Sequence, residues 1–337
     1  MARRLRIQRL DVVYFVTNRC IDEMYLLRPG PAVNALILGC LTRAVAKHGI
    51  ELMGFVFMGN HFHLLCRAPR MNLGEFMRDF QSWLATKLQQ HWKTTSQIFG
   101  RRYSAVDLLD DATAFDKLIY LLANPCAADL VRDPRDYPGL SSLPYHLDDQ
   151  PICGRWVAQE KLTRNLKRNK DYDPELAASY HSIQLTPLPA LAPKSAEQRA
   201  STIAKTLAST CAALHKKRGK KSVLGARRLQ RLDPRSRPKA PKFTPCPTCL
   251  STQQAKKDAH KAHRQAVTES YYRARSHDRN PQRQGPAHYP VGTTPPGHQK
   301  CVAVAGSGTP TGAAGSGTPT GAADGGPPSW SRLQSRA

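Results

Sequence analysis

The sequence predicts an α+β domain, one antiparallel sheet with helices packed on it, followed by a basic C-terminal extension. Three observations carry this. Short β-branched and aromatic runs alternate with longer segments of helical spacing, in the order strand, helix, strand, strand, helix, strand, helix. Linker-like composition closes that series near residue 145, so the domain occupies about residues 8–145 within a first region of 1–150. Excess charge lies almost wholly beyond it: residues 1–150 carry 18 Lys and Arg against 15 Asp and Glu, and residues 151–337 carry 32 against 10.

The elements follow in order. Residues 12–17, VVYFVT, are β-branched and aromatic and end at Asn18-Arg19, which predicts a strand. From Pro31 to His48 the apolar spacing is helical, with Pro in the first turn and Gly49 at the end. The runs 50–58 and 62–66 flank Gly59-Asn60 and predict two strands joined by a tight turn. Residues 72–92 place Leu73, Phe76, Phe80, Trp83, Leu84 and Leu88 on one helical face, with Asn72 as the cap. A strand over 101–109 precedes a helix that opens with a capping Thr and stops at Pro125.

Composition narrows the function classes. With 337 residues and 40% apolar content the chain can build a core, and a formal charge of +25 favours polyanionic partners, nucleic acid ahead of anionic membrane. Nine cysteines at irregular spacing do not form a disulfide framework. The apolar stretch after the basic start is too short for a secretory signal, and no run reaches membrane-spanning length. A soluble, cytoplasmic protein is the expectation. Residues 151–240 are basic and helix-compatible, and 241–337 are Pro/Gly-rich and expected to be largely disordered; 306–314 recur unchanged as 315–323.

Two short patterns could carry chemistry. On a strand, alternation sends His61 and His63 to one face and Phe62 to the other, so the two imidazoles can take adjacent positions on a divalent metal. Tyr120 and Asn124, spaced i, i+4, project from one helix face. Each pattern alone also fits a plainer reading: two exposed histidines on a strand, and a core tyrosine with a satisfied hydroxyl.

Together they resemble the HUH tyrosine nucleases, specifically the Y1 transposases of the IS200/IS605 type and their REP-associated relatives. Met58-Gly59-Asn60-His61-Phe62-His63-Leu64-Leu65 matches that family's His-hydrophobic-His strand. Tyr120-Leu121-Leu122-Ala123-Asn124-Pro125 matches its helix bearing one tyrosine and a polar metal ligand, and Asp136-Tyr137-Pro138-Gly139-Leu140-Ser141-Ser142 matches a later turn. Strand Val13–Arg19 and Phe99-Gly100-Arg101-Arg102-Tyr103 are further landmarks. The likeness covers about 8–145, and it departs from the family at Gly59, where Pro is usual, and at Ala127 and Asp129, where Lys and Gly are common.

The resemblance implies a ferredoxin-like or RRM-like core. It implies Mg²⁺ or Mn²⁺ on His61, His63 and Asn124, and Tyr120 attacking single-stranded, hairpin-containing DNA to give a 5′-phosphotyrosine. Arg67, Arg101, Arg102 and Tyr103 are candidates for DNA contact, although surface cations are also commonly just solvated. A non-catalytic nucleic-acid-binding protein and a relaxase or replication initiator are the alternatives; monomer and homodimer both stay open. Cys246-Pro247-Thr248-Cys249 followed by His260 and His263 has the look of a zinc module, but its histidine gap is short and its flanks are Pro-rich.

Overall fold

In the computed structural model, residues 4–238, 246–280 and 285–296 are described. Strand β1 (Val13–Arg19) lies between β3 (His61–Arg67) and β4 (Ser104–Leu108), and β2 (Glu51–Phe57) pairs with the outer side of β3, all antiparallel. A two-residue strand, β7 (Cys249–Leu250), adds to β4 in parallel and gives the order β2-β3-β1-β4-β7. The sheet is therefore antiparallel over four strands, with a parallel edge the local pattern does not announce, because two residues show no period.

Alternation divides the side chains of this sheet between two cores. On one face, Tyr14, Val16, Phe55, Phe57, Phe62 and Leu64 meet helices α1 (Pro31–His48) and α2 (Leu73–Trp92). Phe76 and Phe80 of α2 are fully buried against this face, each contributing about 1.5–3 kcal/mol. On the other, Val13, Phe15, Val56, Leu65 and Val106 meet helix α3 (Asp111–Ala127). The sheet is thus covered on both sides, and α3 faces the same side as the odd-numbered residues of β1.

Two caps differ from the sequence expectation. Helix α3 is capped by Asp110, whose Oδ1 accepts from Thr113 N–H at 2.8 Å, rather than by a threonine. It also runs past Pro125 to Ala127: the proline forfeits one amide near the end, and Ala128 N–H still closes on the Asn124 carbonyl at 2.9 Å. Asn72 occupies the cap position of α2, but its side chain donates to the His48 carbonyl instead.

Beyond residue 150 the chain builds further layers. Helix α4 (Leu143–Asp148) leads into hairpin β5 (Ile152–Val157) and β6 (Ala178–Ile183), which packs on α1; α5 (Gln159–Arg168) lies between the two strands in sequence. Close approach depends on Gly39, where a Cβ would run into the Arg155 carbonyl, and on Gly154, where one would meet Thr42 and Leu38. Helix α6 (Ala196–Arg218) buries Ile203, Leu207 and Cys211 against α3, and the short α7 (Ala226–Gln230) adds Leu229. Of the segment 241–337, residues 246–280, with β7 and helix α8 (Gln254–Arg279), and residues 285–296 are described; the expectation of disorder over the last forty or so residues falls outside the described residues. Among the described residues no helix is long and apolar enough to cross a membrane.

Candidate active site

The β1–β3 register sets Thr17 opposite His63 and Arg19 opposite His61, on the face covered by α3. The imidazole rings of His61 and His63 are 5.0 Å apart between centroids. His63 stacks on Phe15 at 5.0 Å and meets the edge of Tyr120 at 6.0 Å. Tyr120 also makes edge contact with Phe15 at 6.1 Å, so one phenylalanine seats both the histidine and the tyrosine.

Hydrogen bonds orient the two histidines. Asn60 Nδ2 donates to the Glu23 carbonyl at 3.1 Å, which turns its Oδ1 toward His61 Nδ1 at 2.7 Å. An amide oxygen only accepts, so Nδ1 carries the proton and Nε2 keeps its lone pair. His63 Nδ1 lies 2.7 Å from Thr17 Oγ1, which holds that ring through the same atom. Burial, with Arg19 nearby, lowers the His61 pKa to about 4; burial with His61, Arg19 and Lys117 puts that of His63 well below the ordinary value. Both rings are therefore neutral at neutral pH, the form that binds metals.

Tyr120 is 45% exposed and its hydroxyl bonds to no described residue. That excludes the core-tyrosine reading, since its helical neighbours Leu118, Ile119, Leu121 and Leu122 take the interior. Lys117, one turn earlier, holds its ammonium 4.8 Å from the ring centroid. Asn124 is 6% exposed, and its side-chain amide makes no hydrogen bond to the described residues. Its amide atoms are not among the fully enclosed polar atoms that lack a partner, so water or a ligand can reach them. Two neutral imidazoles tied at Nδ1 together with such an amide suit a divalent ion that keeps open positions. Among the described residues no cluster of three or more His, Cys, Asp and Glu gathers; His61 and His63 face each other, and Asn124 stands one turn beyond Tyr120 on α3.

The other singled-out residues fall elsewhere. Arg67 Nε is 2.6 Å from Glu51 Oε2, at the far end of β3 from His61. Arg101 and Arg102 are exposed in the loop before β4, whereas Tyr103 is 8% exposed with the Arg6 guanidinium 3.6 Å above its ring. Cys246 Sγ accepts from Ser104 Oγ at 2.8 Å, and His260 is buried with Nδ1 3.7 Å from Asp107, so no zinc module assembles among the described residues. Thr17, Asn60, Phe15 and Lys117 were not singled out in the sequence. Lys117 and Tyr120 are three apart on one helix, a signal that was present; the pairing of Thr17 with His63 needs a register the sequence does not print.

No protein-family model matches the chain, and no curated protein matches it in sequence. Among solved structures it is similar to a REP-associated tyrosine transposase bound to a REP hairpin, at a TM-score of 0.38 and 14% identity over 44% of this chain and 86% of that one. It is also similar to a candidate transposase from Deinococcus radiodurans R1, at a TM-score of 0.26 and 15% identity over 31% of this chain and 85% of that one.

Proposed function

We propose that this protein is a transposase-like enzyme that cuts and rejoins single-stranded DNA, with Tyr120 as the nucleophile. The observation that carries the proposal is a solvent-facing phenol that bonds to no described residue and whose ring meets the edge of His63, the buried member of a pair of imidazoles. Exposure alone does not single out Tyr120, since Tyr180 and Tyr272 are at least as exposed; its contact with His63 does.

In the reaction, the Tyr120 oxygen forms a bond to the scissile phosphorus while the bond from phosphorus to the 3′ oxygen breaks. The electron pair stays on that oxygen, which takes a proton and leaves as a 3′-OH; the phenol gives up its own proton to solvent. The product is a 5′-phosphotyrosine that retains a phosphodiester. Another strand's 3′-OH can therefore reverse the step and join DNA with no nucleotide cofactor. Lys117, beside the phenol, favours negative charge on the attacking oxygen and on the incoming phosphate. His61, His63 and Asn124 would hold Mg²⁺ or Mn²⁺, which when bound polarises the phosphate as a Lewis acid. Asn60 and Thr17 keep the two rings in place for that role.

The substrate we propose is an unpaired strand beside a hairpin. A REP hairpin is the ligand in one of the similar structures. A net charge of +25 suits a polyanion. The test is incubation of the purified protein with single-stranded hairpin oligonucleotides, with and without Mg²⁺. A denaturation-resistant protein–DNA species is expected with Mg²⁺ and absent from Tyr120→Phe. An adduct that survives in the phenylalanine variant would overturn the assignment.

A further inference from the structure

On the face of the sheet opposite Tyr120, a cavity of about 510 Å³ opens between residues 4–8, the loop before β4, and α8. Its lining includes five arginines drawn from three separate segments: Arg4, Arg6, Arg101, Arg102 and Arg264. None of them pairs with a carboxylate within 4 Å among the described residues. Arg4, Arg101 and Arg102 are exposed at the mouth; Arg264 is anchored by a bond from Nη2 to the Leu5 carbonyl at 3.0 Å, and Arg6 by one to the Tyr103 carbonyl at 3.1 Å. Convergent, unneutralised arginines repel one another, so the arrangement gains most from a bound anion.

The floor carries the second, independent observation. Asp107 lines this cavity and is 4% exposed; its Oδ2 makes no hydrogen bond, and the near group is His260 Nδ1 at 3.7 Å, too long for one. A phosphate alone would be repelled by a carboxylate and would leave most of the volume empty. A nucleotide would not: its phosphate meets the arginines at the mouth, and an amino group on its base can donate to Asp107 within.

The position links this cavity to the proposed chemistry. Ser104, in its wall, lies opposite Thr17, which holds His63, and the Arg101 carbonyl accepts from Asn18 Nδ2 at 3.2 Å. Cavity and tyrosine thus sit at the same end of the sheet on opposite faces. We infer that the cavity holds one nucleotide of the substrate strand, its phosphate on Arg101, Arg102 and the neighbouring arginines and its base amino group on Asp107. This rests on the DNA reading above but not on Tyr120 being the nucleophile.

The experiment measures binding of a labelled single-stranded oligonucleotide to the Tyr120→Phe protein in chelator across a salt series. Arg101→Ala/Arg102→Ala changes two exposed residues and leaves the core untouched. Affinity is expected to fall roughly tenfold or more, and the salt slope to flatten by about 1.4, two single-strand phosphate contacts at about 0.7 each. Unchanged affinity and slope would overturn the inference. So would displacement of the oligonucleotide by micromolar free deoxynucleoside monophosphate, which would mark a free nucleotide as the occupant. In a protein whose melting is unchanged, Asp107→Asn is expected to alter which base is preferred at one position of the oligonucleotide; an unaltered preference would overturn the base contact. Adduct formation by the same arginine variant with Tyr120 intact, at saturating DNA, separates the two readings. Absence of adducts from every protein defeats the tyrosine, whereas normal adducts with arginine-independent binding defeat the cavity.

Discussion

Thr17→Val removes one hydroxyl and almost nothing else. Valine keeps the β-branched shape that β1 needs at this position and the strand pairing with His63, and loses the side-chain contact of Oγ1, 2.7 Å from His63 Nδ1. His63 itself is 7% exposed, so its Nδ1 is then left with little access to water. Losing a hydrogen bond that orients a ligating histidine costs about 10–100-fold in metal affinity, roughly 1.4–2.8 kcal/mol. The cost should appear in the dependence of adduct formation on Mn²⁺ concentration. The concentration giving half the maximal rate is expected to rise 10–100-fold, while the rate at saturating Mn²⁺ stays within about threefold. Global stability is expected to fall by only about 1 kcal/mol, the usual net worth of one such bond. A rate reduced equally at every Mn²⁺ concentration, or no change at all, would refute the orienting role of Thr17.

Other expectations follow from the same geometry. Asn60→Ala frees the His61 ring and is expected to weaken Mn²⁺ dependence in the same sense as Thr17→Val, whereas a variant indistinguishable from wild type would show that the amide is not needed. Gly39→Ala forces a Cβ onto the Arg155 carbonyl; thermal unfolding should register a loss of about 1–3 kcal/mol, and an unchanged midpoint would mean that the hairpin does not lie so close to α1. Arg67→Ala breaks a half-exposed pair with Glu51 at the opposite end of β3, so stability should move by less than about 1 kcal/mol and oligonucleotide affinity should not change measurably. Burial lowers the pKa values of His146 and His260 to about 4, so both stay neutral in the folded metal-free protein while the unfolded chain takes up protons near 6.5. Their contribution is present at pH 7 and lost as pH falls from about 6.5 toward 4; Asp107, which burial raises to about 6, opposes them as a single group. The urea midpoint is therefore expected to be lower at pH 4.5 than at pH 7, and a higher one would contradict this balance.

The parts of the site legible in the sequence were those set by local period. Alternation alone puts His61 and His63 on one face with Phe62 buried behind them, and helical spacing alone aligns Tyr120 with Asn124. Which face of β3 meets α3 is a tertiary fact, and so is the seating of both His63 and Tyr120 on Phe15. The same limit explains the elements beyond residue 150. Helix α6 starts with a capping box between Ser195 and Gln198, a local signal, but its packing on α3 follows from Ile203, Leu207 and Cys211 meeting a partner far away in sequence. Strand β7 is two residues long and exists because Asp107 N–H and Leu109 N–H find the carbonyls of Thr248 and Leu250, at 3.1 and 3.0 Å. Backbone pairing of that kind leaves no pattern in the side chains.

The most direct test is to identify the residue that becomes linked to DNA. After reaction with a single-stranded hairpin oligonucleotide in Mg²⁺, nuclease trimming and trypsin digestion, mass spectrometry should find a nucleotide on the peptide spanning residues 118–132, in which Tyr120 is the sole tyrosine. The expected bond is a phosphodiester from Tyr120 to a 5′ carbon. A nucleotide on any other peptide, or cleavage of the strand with no peptide linked at all, would contradict the assignment of Tyr120 as the nucleophile.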